Sequence, residues 1–213
     1  MNRINQDLIE QMASELQPVR PLKMRDGLLL VALAALASVL LVDVFVGLWA
    51  GVLQGQASAF FMITNGLLLV LGIASATSVV TMASPRVGNR HDVPKWTMAM
   101  AGVLPVAALI TLAAQQSEAE LLRDPYGLYC TGAALVASTL TASALLVWLR
   151  RGAPVSLNTA GLHLGVAAGA LGSAAYGLAC PIDGIVHLGV FHIAPVVIAG
   201  LVGRFAVPRL LRW

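Results

Sequence analysis

Residues 27–48 read GLLLVALAALASVLLVDVFVGL, twenty-two positions in which Asp43, near the far end, is the one ionisable side chain. Lipid gives backbone N–H and C=O groups nothing to bond to, so an apolar run of about twenty residues predicts a helix that satisfies itself and spans the bilayer. Five more runs follow the first, Gly27 to Leu48: Ala57 to Met82, Trp96 to Ala114, Gly127 to Leu149, Leu157 to Ala179 and Ile185 to Phe205. Across all 213 residues the chain is 58% hydrophobic and 11% charged, with mean hydropathy +0.84. That is too little charge to cover the surface of a water-soluble domain. The expectation is an all-α polytopic membrane protein, a six-transmembrane-helix bundle over residues 27–207. A cytoplasmic segment, 1–26, precedes it and a short basic tail, 208–213, follows.

Charge gives the expected orientation. Arg3, Arg20, Lys23 and Arg25, then Arg86, Arg90 and Lys95, then Arg150 and Arg151, then Arg204, Arg209 and Arg212 fall on the side of the amino terminus. Arg123 is left opposite, beside Glu118, Glu120, Asp124 and Asp183. Basic residues collect on the cytoplasmic side, so both termini are expected inside. Residues 1–26 hold Asp7, Glu10 and Glu15 among their bases and have no apolar core after Met1, so the first span is expected to act as an uncleaved targeting signal. The formal charge of +3 and pI near 9.2 follow from these span-flanking bases, and no nucleic-acid partner is expected from them.

In the amino-terminal segment Ile4, Leu8, Met12 and Leu16 recur near helical period, with Asp7, Glu10 and Gln11 mainly on the other face. A short amphipathic helix stopping before Pro18 is expected. Its apolar face suits the inner membrane surface or the bundle's own loops, or else a soluble partner. Pro18 and Pro21 make the connector to the first span extended. Within the fifth run, GLHLGVAAGALGSAAYG, Gly161, Gly165 and Gly169 lie four residues apart and predict a flat packing face for a neighbouring helix. Pro105 and Pro195 interrupt the third and sixth runs.

Cys130 opens the fourth run and Cys180 closes the fifth, so the two thiols fall near one boundary, the outer one. A constitutive disulfide, a redox-responsive pair, and unpaired thiols or a metal site all fit this placement. Cys180, Asp183 and His187 are the candidate ligands for a soft divalent ion, with Cys130 as a second sulfur. His192, five positions past His187, does not share its face on a straight helix. No Gly-rich phosphate loop, nucleophile elbow or paired-histidine motif is present, and the chain is not expected to be an enzyme. A small membrane transporter or metal-handling protein is the alternative, although midspan ionisable groups and convincing inverted repeats are lacking.

The order of these features resembles the NrsF-like negative regulators of sigma factor F, a bacterial membrane family. It comprises the amino-terminal helix, Pro18-Val19-Arg20-Pro21-Leu22, six runs, Cys130, Cys180-Pro181 after the Gly/Ala-rich run, and Arg209-Leu210-Leu211-Arg212-Trp213. The resemblance implies an inner-membrane anti-sigma factor that sequesters an extracytoplasmic-function type sigma factor. It implies sigma contact through Ile4, Leu8, Met12 and Leu16. It also implies release through Cys130 and Cys180 in response to oxidants or heavy metals. No cofactor is required on this reading, and a divalent heavy-metal ion is one form of the signal.

Overall fold

A computed structural model describes residues 3–15, 22–85, 92–115 and 124–211. Among the described residues every regular element is helical: α1 Arg3–Ser14, α2 Met24–Phe45, α3 Ala50–Leu53, α4 Ala59–Met82, α5 Asp92–Gln115, α6 Gly127–Arg150, α7 Leu157–Gly177, α8 Ile185–Phe191 and α9 Ala194–Leu211. Leu16, Pro18 and Pro21 lie outside the described residues, as do Glu118, Glu120, Arg123 and the last two positions of the tail.

Among the described residues four stretches are long and apolar enough to cross a membrane: α2, α4, α6, and the 27 residues of Ile185–Leu211 that contain α8 and α9. Four of the six expected spans therefore meet that standard. In α5 the apolar part is the shorter Gly102–Thr111, while α7 is diluted by Gly, Ser and His. The reason for that dilution is position. From Ala160 to Gly177 nearly every residue of α7 is buried, with α9, α6 and α4 packed around it. An axial helix needs small side chains that let neighbours in; lipid-facing bulk belongs to the helices outside it. On α2, Leu29, Leu33, Leu36, Leu40 and Val44 form such an outward stripe at three- and four-residue spacing.

Gly161, Gly165 and Gly169 all turn to α9. A methyl group on Gly161 would overlap the Gly203 carbonyl oxygen, and one on Gly165 would overlap that of Ala199. One on Gly169 would lie 2.7 Å from the Pro195 carbonyl oxygen and 2.8 Å from the Val196 Cα. These contacts are backbone on backbone, so no rotamer change could relieve them.

Of the two interruptions expected at proline, one is absent and one is present. The third run is continuous: α5 passes through Pro105 without a break. The sixth run, expected from Ile185 to Phe205 with an interruption at Pro195, is two helices separated at His192–Ile193. Pro195 has no N–H to return to the carbonyl of Phe191, four residues back. Thr131 of α6 supplies the missing donor, its hydroxyl bonding Phe191 O at 3.0 Å. Ser173 of α7 donates to the carbonyl of His192 at 2.6 Å. The carbonyls of Phe191 and His192 are thus met by hydroxyls from neighbouring helices, as a dry interior favours.

At the end of the bundle away from these residues, Trp148 donates its indole N–H to Val80 O at 3.2 Å among Val79, Leu145, Leu149 and Leu164. Gly27 makes room for that ring, since a Cβ there would sit 2.7 Å from it.

Candidate functional site

Cys130 comes from the first turn of α6. Asp124 lies in the turn ahead of that helix: its Oδ1 accepts from the N–H of Tyr126 at 3.0 Å, a turn that the Asp side chain closes on its own backbone. Gly127, the first residue of α6, leaves space for the ring of Phe191, which brings α8 against α6 just beside Cys130. Cys180 follows the end of α7, where its N–H bonds Gly177 O at 3.2 Å. His187 lies in the first turns of α8, and His192 sits at the joint between α8 and α9.

These four side chains converge. Sγ of Cys130, Sγ of Cys180 and one ring nitrogen each of His187 and His192 lie within 4.8 Å of one another, and all four residues are buried. The two sulfurs are 3.9 Å apart, both thiols are free, and Cys180 Sγ stands 3.5 Å from His187 Nε2. Tyr176 reaches Cys130 Sγ with its hydroxyl at 3.8 Å, and its ring stacks on His192 with centroids 6.3 Å apart. The rings of His187 and His192 are 5.4 Å apart. Apolar support comes from Val42, Ala134 and Ala179.

Asp124 has a second task. Its Oδ2 lies 2.6 Å from His187 Nδ1, so the carboxylate holds that nitrogen as the donor and turns Nε2 toward the sulfurs. His192 has no such partner. It is 1% exposed, and neither ring nitrogen makes a hydrogen bond. The Cys180 thiol, between helices, is pushed above its ordinary range by its hydrogen bond with Cys130 and by burial.

The sequence-based ligand set of Cys180, Asp183 and His187 needs two changes. Asp183 is not in the cluster: its Oδ2 instead accepts from the N–H of Ser58 at 3.2 Å, at the start of α4. His192 is in it, because the chain stops being helical before that residue. Asp124, which the sequence reading treated only as an exterior charge, is the orienting carboxylate. Its 63-residue separation from His187 gave periodicity nothing to detect.

The helix-face residues assigned to partner contact stand apart from this cluster. Ile4 and Leu8 lie in α1, where Met12 is 63% exposed, and Leu16 is outside the described residues.

No curated protein and no solved structure matches this chain. A family model described as Negative regulator of sigma F matches residues 12–213, which takes in every residue of the buried cluster and nearly the whole sequence. The chain belongs to that family of sigma-factor negative regulators.

Proposed function

We propose that the chain is a six-span inner-membrane anti-sigma factor that holds an extracytoplasmic-function type sigma factor at its amino-terminal segment and releases it when Cys130 and Cys180 react at the outer face. The observation that carries this reading is the buried pair of free thiols, with sulfurs 3.9 Å apart, in a chain of the regulator family.

The charge pattern supports the orientation: with the amino end inside, twelve of the thirteen basic residues are cytoplasmic and the cysteines face the exterior, where oxidants and metal ions arrive. The enclosure of α7 supports six crossings. A Gly/Ala-rich helix wrapped by α4, α6 and α9 needs no lipophilic surface of its own, and α5 packs against α4 and α8 to complete the set. The exposed Met12 and Ile9 of α1 support a docking role for a segment that covers little apolar surface by itself.

Regulation then requires two bundle states with different affinity for sigma factor, and a chemical event at the thiols that favours one of them. The test is co-purification of the tagged chain with cellular sigma factors, with and without residues 2–17, before and after oxidant or heavy-metal treatment. Retention that needs residues 2–17 and falls on treatment is the expected result. Equal retention by the truncated chain would overturn the docking assignment.

A further inference from the structure

We infer that Cys130, Cys180, His187 and His192 form a four-ligand site for a soft divalent cation of the zinc or cadmium class, with Asp124 as the carboxylate that orients His187. The site stands on geometry alone; that its occupancy is the signal for release rests on the function proposed above.

The first argument is distance. With metal–sulfur bonds of about 2.3 Å and metal–nitrogen bonds of about 2.0 Å, a tetrahedral centre places its two sulfurs about 3.8 Å apart and each sulfur about 3.5 Å from a nitrogen. The observed separations are 3.9 Å for Cys130–Cys180 and 3.5 Å for Cys180–His187. A disulfide would need the sulfurs at about 2.0 Å, so the arrangement is much closer to the edges of a tetrahedron than to a covalent pair.

The second argument is the state of His192. A buried imidazole with both nitrogens unbonded gives up hydrogen bonds that water would supply. One of those nitrogens lies within 4.8 Å of both sulfurs and of a His187 nitrogen. A cation among the four ligands would give it a partner. The two remaining His192 neighbours, the rings of Tyr176 and His187, hold the imidazole from its sides.

Charge balance agrees. Each thiol releases one proton to solvent as its sulfur bonds the cation, and the histidines bind as neutral imidazoles. Two thiolates then cancel the dication, and a neutral centre suits a site whose four ligands are all buried. The Asp124 carboxylate, 15% exposed, lies behind His187, where a hydrogen-bonded carboxylate fixes the ring and strengthens it as a ligand. Two sulfurs and two imidazoles select zinc-like ions over calcium or magnesium, which take oxygen.

The test is titration of the purified full-length chain in detergent, under reducing conditions, with cobalt(II) as the probe. One ion per chain with four-coordinate ligand-field absorption and a thiolate charge-transfer band, displaced by zinc(II) or cadmium(II), is expected. Asp124→Asn should weaken binding by about 10- to 100-fold while keeping the band, as loss of an orienting carboxylate does. His192→Ala should lose the four-coordinate spectrum. Absence of the charge-transfer band in the unaltered chain overturns the site without reference to any variant. So does a band that survives in the Cys130→Ser/Cys180→Ser chain, or an unchanged spectrum and affinity in His192→Ala. Sigma-factor retention is measured on the same metal-free preparations. Retention without a cobalt band overturns the site alone; a cobalt band without retention overturns the regulatory reading and leaves the site standing.

Discussion

At the scale of single residues, the two loop aspartates separate what sequence proximity suggests from what folding does. Asp183 is three positions from Cys180 yet serves the start of α4, while Asp124, 56 residues before Cys180, binds His187. Asp183→Asn is therefore expected to leave cobalt(II) affinity at the unaltered level in the titration that detects the loss in Asp124→Asn. Equal weakening in both variants would show a general effect of loop charge instead. The thiols and His187 were legible in the sequence because their residue types and their common boundary mark them. His192 was not: on a straight helix five residues turn it about 140° away from His187, and only the break resets its direction. Asp124 was hidden for another reason, since contact between distant loops leaves no period in the chain.

At the scale of elements, the apolar runs announced α2, α4 and α6 within a few residues of their ends, and the glycine repeat announced the face of α7. What the sequence could not say was which helix would use that face. Choosing α9 depends on the backbones meeting along Gly161–Gly203 and Gly165–Ala199, and Gly203 and Gly200 supply small residues from the other side. Gly165→Leu should thus force α7 and α9 apart and lower the thermal unfolding temperature in detergent. Gly165→Ala should already cost about 1–3 kcal/mol, the usual penalty for overpacking a filled interior. An unfolding temperature equal to that of the unaltered chain for both would refute the assignment. The hydroxyls at the break belong to the same scale. Ser173→Ala leaves the His192 carbonyl without its donor, and a loss of about 1 kcal/mol is expected from the same measurement, in line with hydrogen bonds between membrane helices.

At the scale of the whole molecule, the thiol cluster and α1 are separate features among the described residues, so the regulation proposed above would have to travel through helix packing. Replacing both cysteines by serine is expected to preserve membrane insertion and sigma retention while removing the response to oxidant or heavy metal. A full response in that chain, read as sigma-dependent transcription in cells, would remove the thiols from the mechanism. How such a response could travel follows from the joint between α8 and α9. Pro195 lacks the proton that a bond back to Phe191 would need, so no ligand can supply that one bond, and here, unlike at Pro105, hydroxyls of Thr131 and Ser173 hold the carbonyls of the break. What a ligand could still change is the stiffness of this joint. His192 sits at the joint, with Cys130 of α6 and Cys180 at the end of α7 beside it. Tying these together would narrow the swing of one rod against the other while leaving its mean direction alone, and the message passed along α9 would be a change in the breadth of motion, visible as slowed amide exchange near the joint with little displacement of the helices.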